Sequence, residues 1–256
     1  MEHILLSSNI KFEQGKIKIP SNCTKVSIDV GLSLNALQSE QWLSKDPNLF
    51  VIGFEPVKFN IESILNGYLK PSLNLKYLNK RFILIPCALS NENNLEGVSM
   101  YVTPDKGTSS LLLPKYFEVE HIEKVSVVTL ESFLSSFFPF DRFPMIQHLK
   151  IDTQGSDFNV LLGAGNFISK FLAITVEIDN YAYHDTINNP AKIRRYLARQ
   201  GFFQYNMEKG KRIRNINNFI LNLRRSKIKV NTKDPTFLNR SLIKKYKKEN
   251  FNIFQD

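Results

Sequence analysis

Two acidic residues follow two apolar segments at a spacing that is typical of nucleotide-binding folds. Asp29 stands near the end of Val26–Gly31, and Glu55 closes Phe50–Glu55, 26 residues further along the chain. Continuous apolar runs of this length are typical of buried parallel strands. In doubly wound folds, an acid that closes the second strand accepts hydrogen bonds from the hydroxyls of a ribose. The pair therefore predicts a nucleoside-bearing cofactor and argues against a purely structural protein.

Gly31 directly follows the first of these segments, where a backbone turn must come close to a ligand. Glycine allows both the turn and the close approach, and the helix that follows offers free N–H groups to an anion. Dinucleotide-binding enzymes have three glycines at this point, whereas this chain has one, followed by Ser33 and Asn35. A cofactor without a phosphate fits this loop better than a dinucleotide does, although a simple strand–helix turn would also need Gly31.

The composition indicates a globular protein whose positive charge is concentrated near the C-terminus. The chain has 256 residues, 43% of them hydrophobic, which is enough for one α/β domain with a full core, or for one domain plus a small appendage. Residues 1–208 hold 20 Lys+Arg and 21 Asp+Glu, whereas residues 209–248 hold 14 Lys+Arg and one acid. The net charge of +10 therefore describes the last quarter of the chain and says little about the cofactor domain.

The cysteines and the first residues of the chain bear on the cellular compartment of the protein. Cys23 and Cys87 are the only cysteines, and their spacing does not match a Cys-rich zinc site, so they fit a reducing compartment. No apolar run has the length of a membrane-spanning helix. The first residues lack the cationic start and long apolar segment of a signal peptide. We therefore expect a cytoplasmic protein.

Strands and helices are predicted to alternate along most of the chain. The predicted strands of the main sheet are Lys25–Val30, Phe50–Phe54, Phe82–Pro86, His148–Asp152 and Ala173–Ile178, with closing strands at Phe202–Asn206 and Asn218–Leu223. The predicted helices are Asn35–Ser44, Lys58–Leu65, Leu130–Phe138, Asp157–Leu162 and Ala191–Gln200. Such alternation predicts a parallel sheet that binds ligands at the carboxyl ends of its strands.

The domain limits follow from this pattern. Residues 1–24 are predicted to form a hairpin or edge segment with its turn at Gly15, and residues 25–223 the main domain. An insertion at about 97–130 reads as antiparallel strands whose loop could cover a pocket, and it follows a polar loop at 88–94. Residues 224–256 read as a basic tail.

A series of short motifs covers about residues 25–205. They are, in order, IDVG (28–31), FEP (54–56) with Asn60, Ala88–Ser90, Val128–Leu130, LKIDTQGSDFNVLLGA (149–164) and VEI (176–178). This series resembles the FkbM family of S-adenosylmethionine-dependent methyltransferases. The resemblance implies an α/β fold of the class I methyltransferase (Rossmann-like) type. This fold has a seven-stranded, mostly parallel sheet with helices on both faces, and here an inserted β segment. The resemblance also implies O-methylation of a hydroxyl, often on a glycan or a small secondary metabolite.

The same resemblance implies a site for S-adenosyl-L-methionine at the strand ends. Its cofactor-binding residues would be Asp29, Gly31, Ser33, Asn35, Glu55, Pro56, Cys87, Ala88 and Asp152. Asp29 and Gly31 would contact the methionine end, Glu55 the ribose, and the backbone of Cys87 and Ala88 the adenine. Two positions depart from the family pattern: the loop after Gly31 lacks a further glycine, and Gln154 stands where a glutamate is common.

Methyl transfer to a hydroxyl needs alignment of the oxygen and removal of its proton. In one route the catalytic base is Asp152, Asp179 or His184. In the other, a divalent cation such as Mg²⁺ is held by oxygens of Asp152, Asp179 and Asn180. Asp179 and Asn180 could equally cap a turn, and both routes stay open from the sequence.

The candidate substrate-binding residues lie in the insertion and in the segments after the fourth and fifth strands. They are Ser109, Ser110, Gln154 and Tyr183. The serines could bond hydroxyls, and Tyr183 could stack on a sugar face or pack in the core. The resemblance to the FkbM family makes a sugar or glycan the leading acceptor.

The basic segment after residue 208 suggests two other partners. It could follow the phosphate backbone of RNA, but the chain lacks the aromatic–basic interleaving of nucleic-acid platforms, so this reading is the alternative. Residues 242–251 could instead form a basic amphipathic helix that contacts an anionic membrane or an acidic partner. A solvated chain end would need neither partner.

Overall fold

The computed structural model describes residues 10–178, 182–205 and 234–249, the last four of these by their backbone alone. The strands, numbered in chain order, are β1 Phe12–Glu13, β2 Lys16–Ile17, β3 Lys25–Val30, β4 Leu49–Phe54, β5 Phe82–Ile85, β6 Ala88–Ser90, β7 Asn94–Val102, β8 His121–Thr129, β9 Ile146–Ile151, β10 Phe171–Val176, β11 Phe202–Gln204 and β12 Thr236–Asn239. The helices are α1 Leu37–Lys45, α2 Lys58–Asn66, α3 Leu130–Phe137, α4 Asp157–Gly163, α5 Pro190–Arg199 and α6 Arg240–Glu249.

A mixed sheet of seven strands forms the centre of this α/β fold, in the order β11-β12-β10-β9-β3-β4-β5. Neighbouring strands from β10 to β5 pair in parallel, whereas β12 runs antiparallel to both β10 and β11. The carboxyl ends of β3, β4, β5 and β9 consequently meet at one edge of the sheet, which is where such folds bind ligands.

The sheet is buried on both faces, as shown by alternate residues of β4. Phe50, Ile52 and Phe54 belong to the larger apolar core, which also takes in α3, α4 and α5. Leu49 and Val51 belong to a second core on the opposite face, with α1 and α2. All six residues of β4 are buried, which explains why this strand reads as a continuous apolar run.

Three strands outside the main sheet form the insertion, in the order β6-β8-β7. The prediction of a polar loop at 88–94 is wrong at both ends. Residues 88–90 pair in parallel with β8, and Asn94 already begins β7. The polar residues that suggested a longer loop occupy the short turn between β6 and β7, where side chains can remain solvated.

The two ends of the chain differ in how well they follow the prediction. A short N-terminal hairpin of β1 and β2 is present, with Gly15 at a φ of 74° in its turn. At the other end, β11 pairs with β12; the predicted partner strand at 218–223 lies outside the described residues. Since β12 lies within the central sheet, the boundary after residue 223 is wrong. Residues 236–239 are buried, but the many cations around them in the sequence gave this part of the chain the pattern of a solvated tail.

Helix α6 follows β12 directly. Asn239 caps it by accepting bonds from the N–H groups of Ser241 and Leu242, at 3.0 and 3.2 Å. Leu242 and Ile243 pack against an apolar cluster that includes Leu238. Part of the predicted amphipathic face therefore contacts the protein itself, and its contact with a membrane or partner remains a prediction. Among the described residues, none of the helices combines the length and apolar character needed to cross a bilayer.

Candidate active site

A cleft opens where β3, β4 and β9 end and β6 begins. It is lined by the described residues Val30, Gly31, Ser33, Phe54, Glu55, Pro56, Val57, Asn60, Cys87, Ala88, Leu89, Met100, Lys106, Gly107, Ser109, Leu111, Asp152, Thr153 and Gln154. The strand ends supply one wall, and the loop of the insertion supplies the other. The cleft thus lies at the sheet edge that the sequence pattern predicted.

Gly31 forms the floor of the cleft at the point where the loops after β3 and β9 touch. Its φ is +79°, and a Cβ atom there would lie far inside the van der Waals distance of the Asp152 carbonyl oxygen. The N–H of Asp152 donates to the carbonyl of Val30 at 3.1 Å, which holds the two loops together. Both the backbone conformation and the lack of space require glycine here.

Glu55 lies in the wall of the cleft and is only 3% exposed. Its Oε2 accepts a bond from the N–H of Ser33 at 2.9 Å, and its Oε1 accepts bonds from the N–H of Val57 at 3.0 Å and from Asn60 Nδ2 at 3.1 Å. Burial raises the pKa of Glu55 to about 7, although these hydrogen bonds act in the opposite direction. The Oδ1 atom of Asn60 is buried without a hydrogen-bond partner beside it.

Lys150 joins three groups beneath the floor of the cleft. Its Nζ lies 3.1 Å from the carbonyl oxygen of Gly31, 3.1 Å from Asp152 Oδ2 and 3.8 Å from Asp29 Oδ1. Ser39 Oγ donates to the other oxygen of Asp29 at 2.6 Å. Burial raises the pKa of Asp29, against the opposing effects of Lys150 and Ser39. Asp29 therefore supports the floor from below and does not line the cleft.

Asp152 is the carboxylate with the more exposed side chain in the cleft, at 36%. Burial acts to raise its pKa, but the charge of Lys150 and the hydrogen bond from Gln154 outweigh burial, so the pKa lies below its ordinary value. Gln154 Nε2 donates to Asp152 Oδ1 at 2.8 Å and also lies 3.3 Å from Glu177 Oε2. Burial, followed by the charge of Asp152, raises the pKa of Glu177 to about 9.

The insertion loop is fastened to the turn that contains Gln154. The Tyr183 hydroxyl lies 2.7 Å from the carbonyl oxygen of Thr108 and 3.0 Å from Gln154 Oε1. Ser110 Oγ donates to the carbonyl of Gln154 at 2.7 Å. Gly107 of the same loop faces Ser33, since a Cβ on Gly107 would lie 3.2 Å from Ser33 Oγ. These contacts set the position of the wall opposite the strand ends.

Asp157 organises the turn before α4. It is fully buried, and its two oxygens accept bonds from the Thr153 N–H at 2.7 Å, the Thr153 hydroxyl at 3.1 Å, the Gly155 N–H at 3.2 Å and Asn188 Nδ2 at 2.7 Å. Burial raises the pKa of Asp157 to about 6 in spite of these bonds. The arrangement fixes the backbone that carries Thr153 and Gln154 into the cleft.

Comparison with known proteins identifies the family. A sequence model described as the methyltransferase FkbM domain matches residues 40–203, which is more than half of the chain. The chain belongs to the FkbM methyltransferase family. A search of curated proteins gives no match.

A solved FkbM structure also aligns with this chain. The crystal structure of the methyltransferase FkbM from Methylobacillus flagellatus KT aligns with 90% of this chain at 13% sequence identity, with a TM-score of 0.46. The alignment covers 47% of that protein, so this chain spans about half of its length.

Most of the residues that the sequence predicts to bind the cofactor lie together in the cleft. Those that line it are Gly31, Ser33, Glu55, Pro56, Cys87, Ala88 and Asp152. Asp29 lies beneath the cleft, and Asn35 is outside its lining, where the Asn35 carbonyl accepts a bond from the N–H of Leu73. The backbone of Asn35 therefore fastens the loop after β3 to another loop.

The residues predicted to bind the substrate, to act in catalysis or to hold a metal are more scattered. Ser109 and Gln154 line the cleft, whereas Ser110 and Tyr183 lie behind it and position its wall. His184 is exposed and is not among the residues that line the cleft. Asp179 and Asn180 lie outside the described residues, so their roles as base or metal ligands remain predictions. Within the described ranges, no group of three or more His, Cys, Asp or Glu side chains could hold a metal ion.

Three residues in or beside the cleft were given no role by the sequence analysis. Lys150 stands two positions before Asp152, and side chains at that spacing share one face of a strand; this alternation could have indicated the ion pair. Glu177 stands inside the VEI motif without an assigned role. Lys106 lines the cleft from the insertion, where it forms an ion pair with Glu120, and no motif marked it.

Proposed function

We propose that this chain transfers a methyl group from S-adenosyl-L-methionine to a hydroxyl group, with a sugar or glycan as the acceptor. The observation that carries the proposal is Glu55, a buried carboxylate at the end of β4 that faces a cleft floored by Gly31. A carboxylate at this place in an α/β sheet matches the requirement for binding a ribose. The mixed seven-stranded sheet, with only β12 reversed among its described strands, fits the class I methyltransferase fold.

The donor set of the cleft fits an adenosine-linked sulfonium compound. Oε2 of Glu55 accepts one protein hydrogen bond, whereas Oε1 accepts two, so Oε2 keeps acceptor capacity for a ligand; Asn60 Oδ1 is a further buried acceptor without a partner among the described residues. Both can take hydrogen bonds from ribose hydroxyls. Cys87, Ala88 and Leu89 offer a buried, mostly apolar surface for an adenine ring, and Gly31 leaves its backbone open to the methionine end.

The bound donor supplies a methyl group that its sulfonium has already activated, and the chain must align the acceptor oxygen with it. Asp152 faces the same cleft as Glu55, and its lowered pKa keeps it ionised at neutral pH. Its carboxylate can accept a hydrogen bond from the acceptor hydroxyl, which orients the oxygen, and can take up the proton that the oxygen releases when the methyl group is transferred. Gln154 and Lys150 hold one oxygen of Asp152 each, which fixes the direction of that hydrogen bond.

The insertion loop narrows the cleft in this structure. The volume of the cleft is about 180 Å³, whereas small-molecule sites usually measure about 300–1,000 Å³. Gly107 of this loop faces Ser33 of the loop after β3, since a Cβ on Gly107 would lie 3.2 Å from Ser33 Oγ. Entry of the donor therefore requires an outward movement of this loop.

Calorimetric titration with S-adenosylhomocysteine, the demethylated donor, tests the cofactor site. We expect saturable binding to the wild-type protein and at least tenfold weaker binding to Glu55→Ala. The matched control is Glu92→Ala, which removes an exposed acid from the turn between β6 and β7 and should bind as the wild type does. Absence of binding, or equal affinity of all three proteins, would contradict the proposal.

The acceptor class needs a separate measurement. Mass spectrometry after incubation with S-adenosylmethionine and a panel of nucleotide sugars and glycans should show products heavier by one methylene unit. The methyl group should be on oxygen, which fragmentation of the product establishes. Methylation of RNA with none of the sugars modified would overturn the acceptor assignment and leave the cofactor site intact.

A further inference from the structure

A second cavity lies at the opposite end of the strands from the cleft. We call it the basic pocket and define it by its cationic lining residues Lys11, Lys18, Lys76, Lys80 and Arg81. Its volume is about 710 Å³, within the usual range for small-molecule sites. Phe50 lines it near the start of β4, about 17 Å along the strand from Glu55 at ~3.3 Å per residue. One ligand in the basic pocket would thus leave the cleft free.

The charges of the basic pocket are unbalanced. Its described lining contains five cations and no carboxylate. Lys18 pairs with Glu13 at 3.5 Å, but Lys11, Lys76 and Lys80 form no ion pair with a carboxylate in the described part of the chain. Clustered like charges repel one another, and an anion between them would relieve that repulsion.

Two of the cations are fixed in place by their surroundings. Arg81 donates to the carbonyl oxygens of Asp46 at 2.7 Å and Leu43 at 3.0 Å, at the end of α1. The ring of Tyr77 lies 4.7 Å from the Arg81 guanidinium carbon and 4.9 Å from Lys76 Nζ, within the range of cation–π attraction. Part of the positive charge is therefore already held in position, so little side-chain entropy is lost when a ligand binds.

The floor of the basic pocket is apolar. Ile10, Phe50, Tyr77 and Ile83 line it, and all four are buried. Cations around an apolar floor match a ligand that carries an anionic group on an apolar body. The concave shape favours a small molecule over a nucleic-acid strand, since a strand is bound along an extended basic stripe.

We propose that the basic pocket binds a small molecule in which a phosphate or diphosphate group is attached to an apolar or aromatic body. The lysines would act as point charges on the phosphate oxygens, and the apolar floor would contact the remainder of the ligand. Neither contact involves a residue of the cleft.

Titration calorimetry with three probes tests the proposal: inorganic pyrophosphate, uridine diphosphate and geranyl diphosphate. We expect at least one organic diphosphate to bind more tightly than pyrophosphate, with an affinity that falls as the salt concentration rises. Uridine and geranyl groups distinguish a nucleotide from an isoprenoid source. The titrations are repeated with saturating S-adenosylhomocysteine, which should leave diphosphate binding unchanged because the two cavities are separate.

The matched variants are Lys76→Gln/Lys80→Gln and Lys192→Gln/Arg195→Gln. All four residues are exposed, and the second pair lies on α5, beside the opposite edge of the sheet. Since both variants lose two positive charges, a general charge effect would change them equally. We expect the first variant to bind the diphosphate at least tenfold more weakly and the second to stay within twofold of the wild type.

Three results would overturn the proposal: no binding of any probe to the wild type, equal affinities of the two variants, or organic diphosphates that bind no better than pyrophosphate. Thermal melting of each variant verifies that it is folded, and Lys11→Gln serves in place of the first variant if that protein fails to fold. The test is independent of the proposed methyltransferase activity, because pyrophosphate binding requires no working cleft.

Discussion

The two walls of the cleft are built in different ways. The wall formed by the strand ends depends on backbone geometry and buried charge: Gly31 permits loop contact, and Glu55 accepts three protein hydrogen bonds. The wall formed by the insertion depends on neutral side-chain bonds between loops, through Tyr183, Ser110 and Gln154. The first wall suits the proposed cofactor, which is the same molecule whatever the acceptor is. The second can change with the acceptor at little cost to the fold.

The largest expected effect comes from the floor of the first wall. Gly31→Ala places a Cβ against the Asp152 carbonyl oxygen at a positive φ, and we expect it to lower the free energy of unfolding by about 3 kcal/mol or more. Gly15→Ala is the control, because Gly15 has a similar φ of +74° with no atom near its would-be Cβ. It should cost about 1–2 kcal/mol. Equal losses in urea titrations would mean that backbone strain alone makes Gly31 necessary.

Asp157 supports the turn that joins the two walls. Asp157→Ala leaves the buried donors on Thr153, Gly155 and Asn188 without their carboxylate. We expect a loss of about 2–3 kcal/mol in the free energy of unfolding. Asp141→Ala removes an exposed acid and should change it by less than about 0.5 kcal/mol. A loss at Asp157 no larger than that of the control would show that water satisfies these donors.

The pKa of Glu55 gives the strand-end wall a dependence on pH. Since the pKa is about 7, the ionised carboxylate, which we propose accepts the ribose hydroxyls, predominates only above neutral pH. We expect affinity for S-adenosylhomocysteine to fall about tenfold between pH 8 and pH 6, and Glu55→Gln to remove most of that change. A flat wild-type profile would contradict the role of Glu55.

The effect of pH on stability has the opposite sign to its effect on affinity for S-adenosylhomocysteine. Because the pKa in the folded state is raised from 4.5 to about 7, the folded protein favours the neutral carboxyl group. The corresponding contribution to the free energy of unfolding is fully present below about pH 4.5 and is lost as the pH rises through 7. The difference in unfolding free energy between wild type and Glu55→Gln should therefore shift in favour of the variant over this window.

Tyr183 tests the second wall. Tyr183→Phe keeps the ring but removes the hydroxyl that contacts Thr108 and Gln154. We expect kcat for methyl transfer to fall three- to tenfold, about 1 kcal/mol, because Gln154 orients Asp152 less well. The KM for S-adenosylmethionine should stay within twofold. A rise in that KM with an unchanged kcat would place Tyr183 on the cofactor side instead.

The smallest effect is expected at the contact between the two walls. Gly107 has no positive φ, and an added Cβ would lie 3.2 Å from the movable Ser33 hydroxyl. Gly107→Ala should therefore change the free energy of unfolding by less than about 0.5 kcal/mol. Thermal melting measures this directly. A loss comparable to that of Gly31→Ala would show that the insertion loop is as rigid as the strand ends.

The same division governs what the sequence alone can predict. Strand β3 was predicted at its observed bounds, and β4 to within one residue, because strands buried on both faces have an unmistakable apolar pattern. Glu55 and Gly31 were placed in the cleft because they immediately follow such strands. For these two residues, the neighbours in the sequence are also the neighbours in the cleft, so the local pattern was enough to place them.

The remaining features depend on which face of a strand a residue occupies, or on contacts between distant segments. Asp29 faces away from the cleft because side chains alternate along a strand, and its neighbour Val30 takes the position that lines the cleft. The pairing of β12 with β10 and β11 joins segments that are far apart in the chain. Tyr183 is a positioning residue through a bond to Thr108, 75 residues away, which no local pattern indicates.

The crystal structure of the protein with S-adenosylhomocysteine tests the central claim most directly. We expect the ribose hydroxyls to bond to Glu55, with the adenine beside Cys87 and Ala88 and the amino-acid end over Gly31. A ligand bound elsewhere, or bound in the cleft with its ribose away from Glu55, would contradict it.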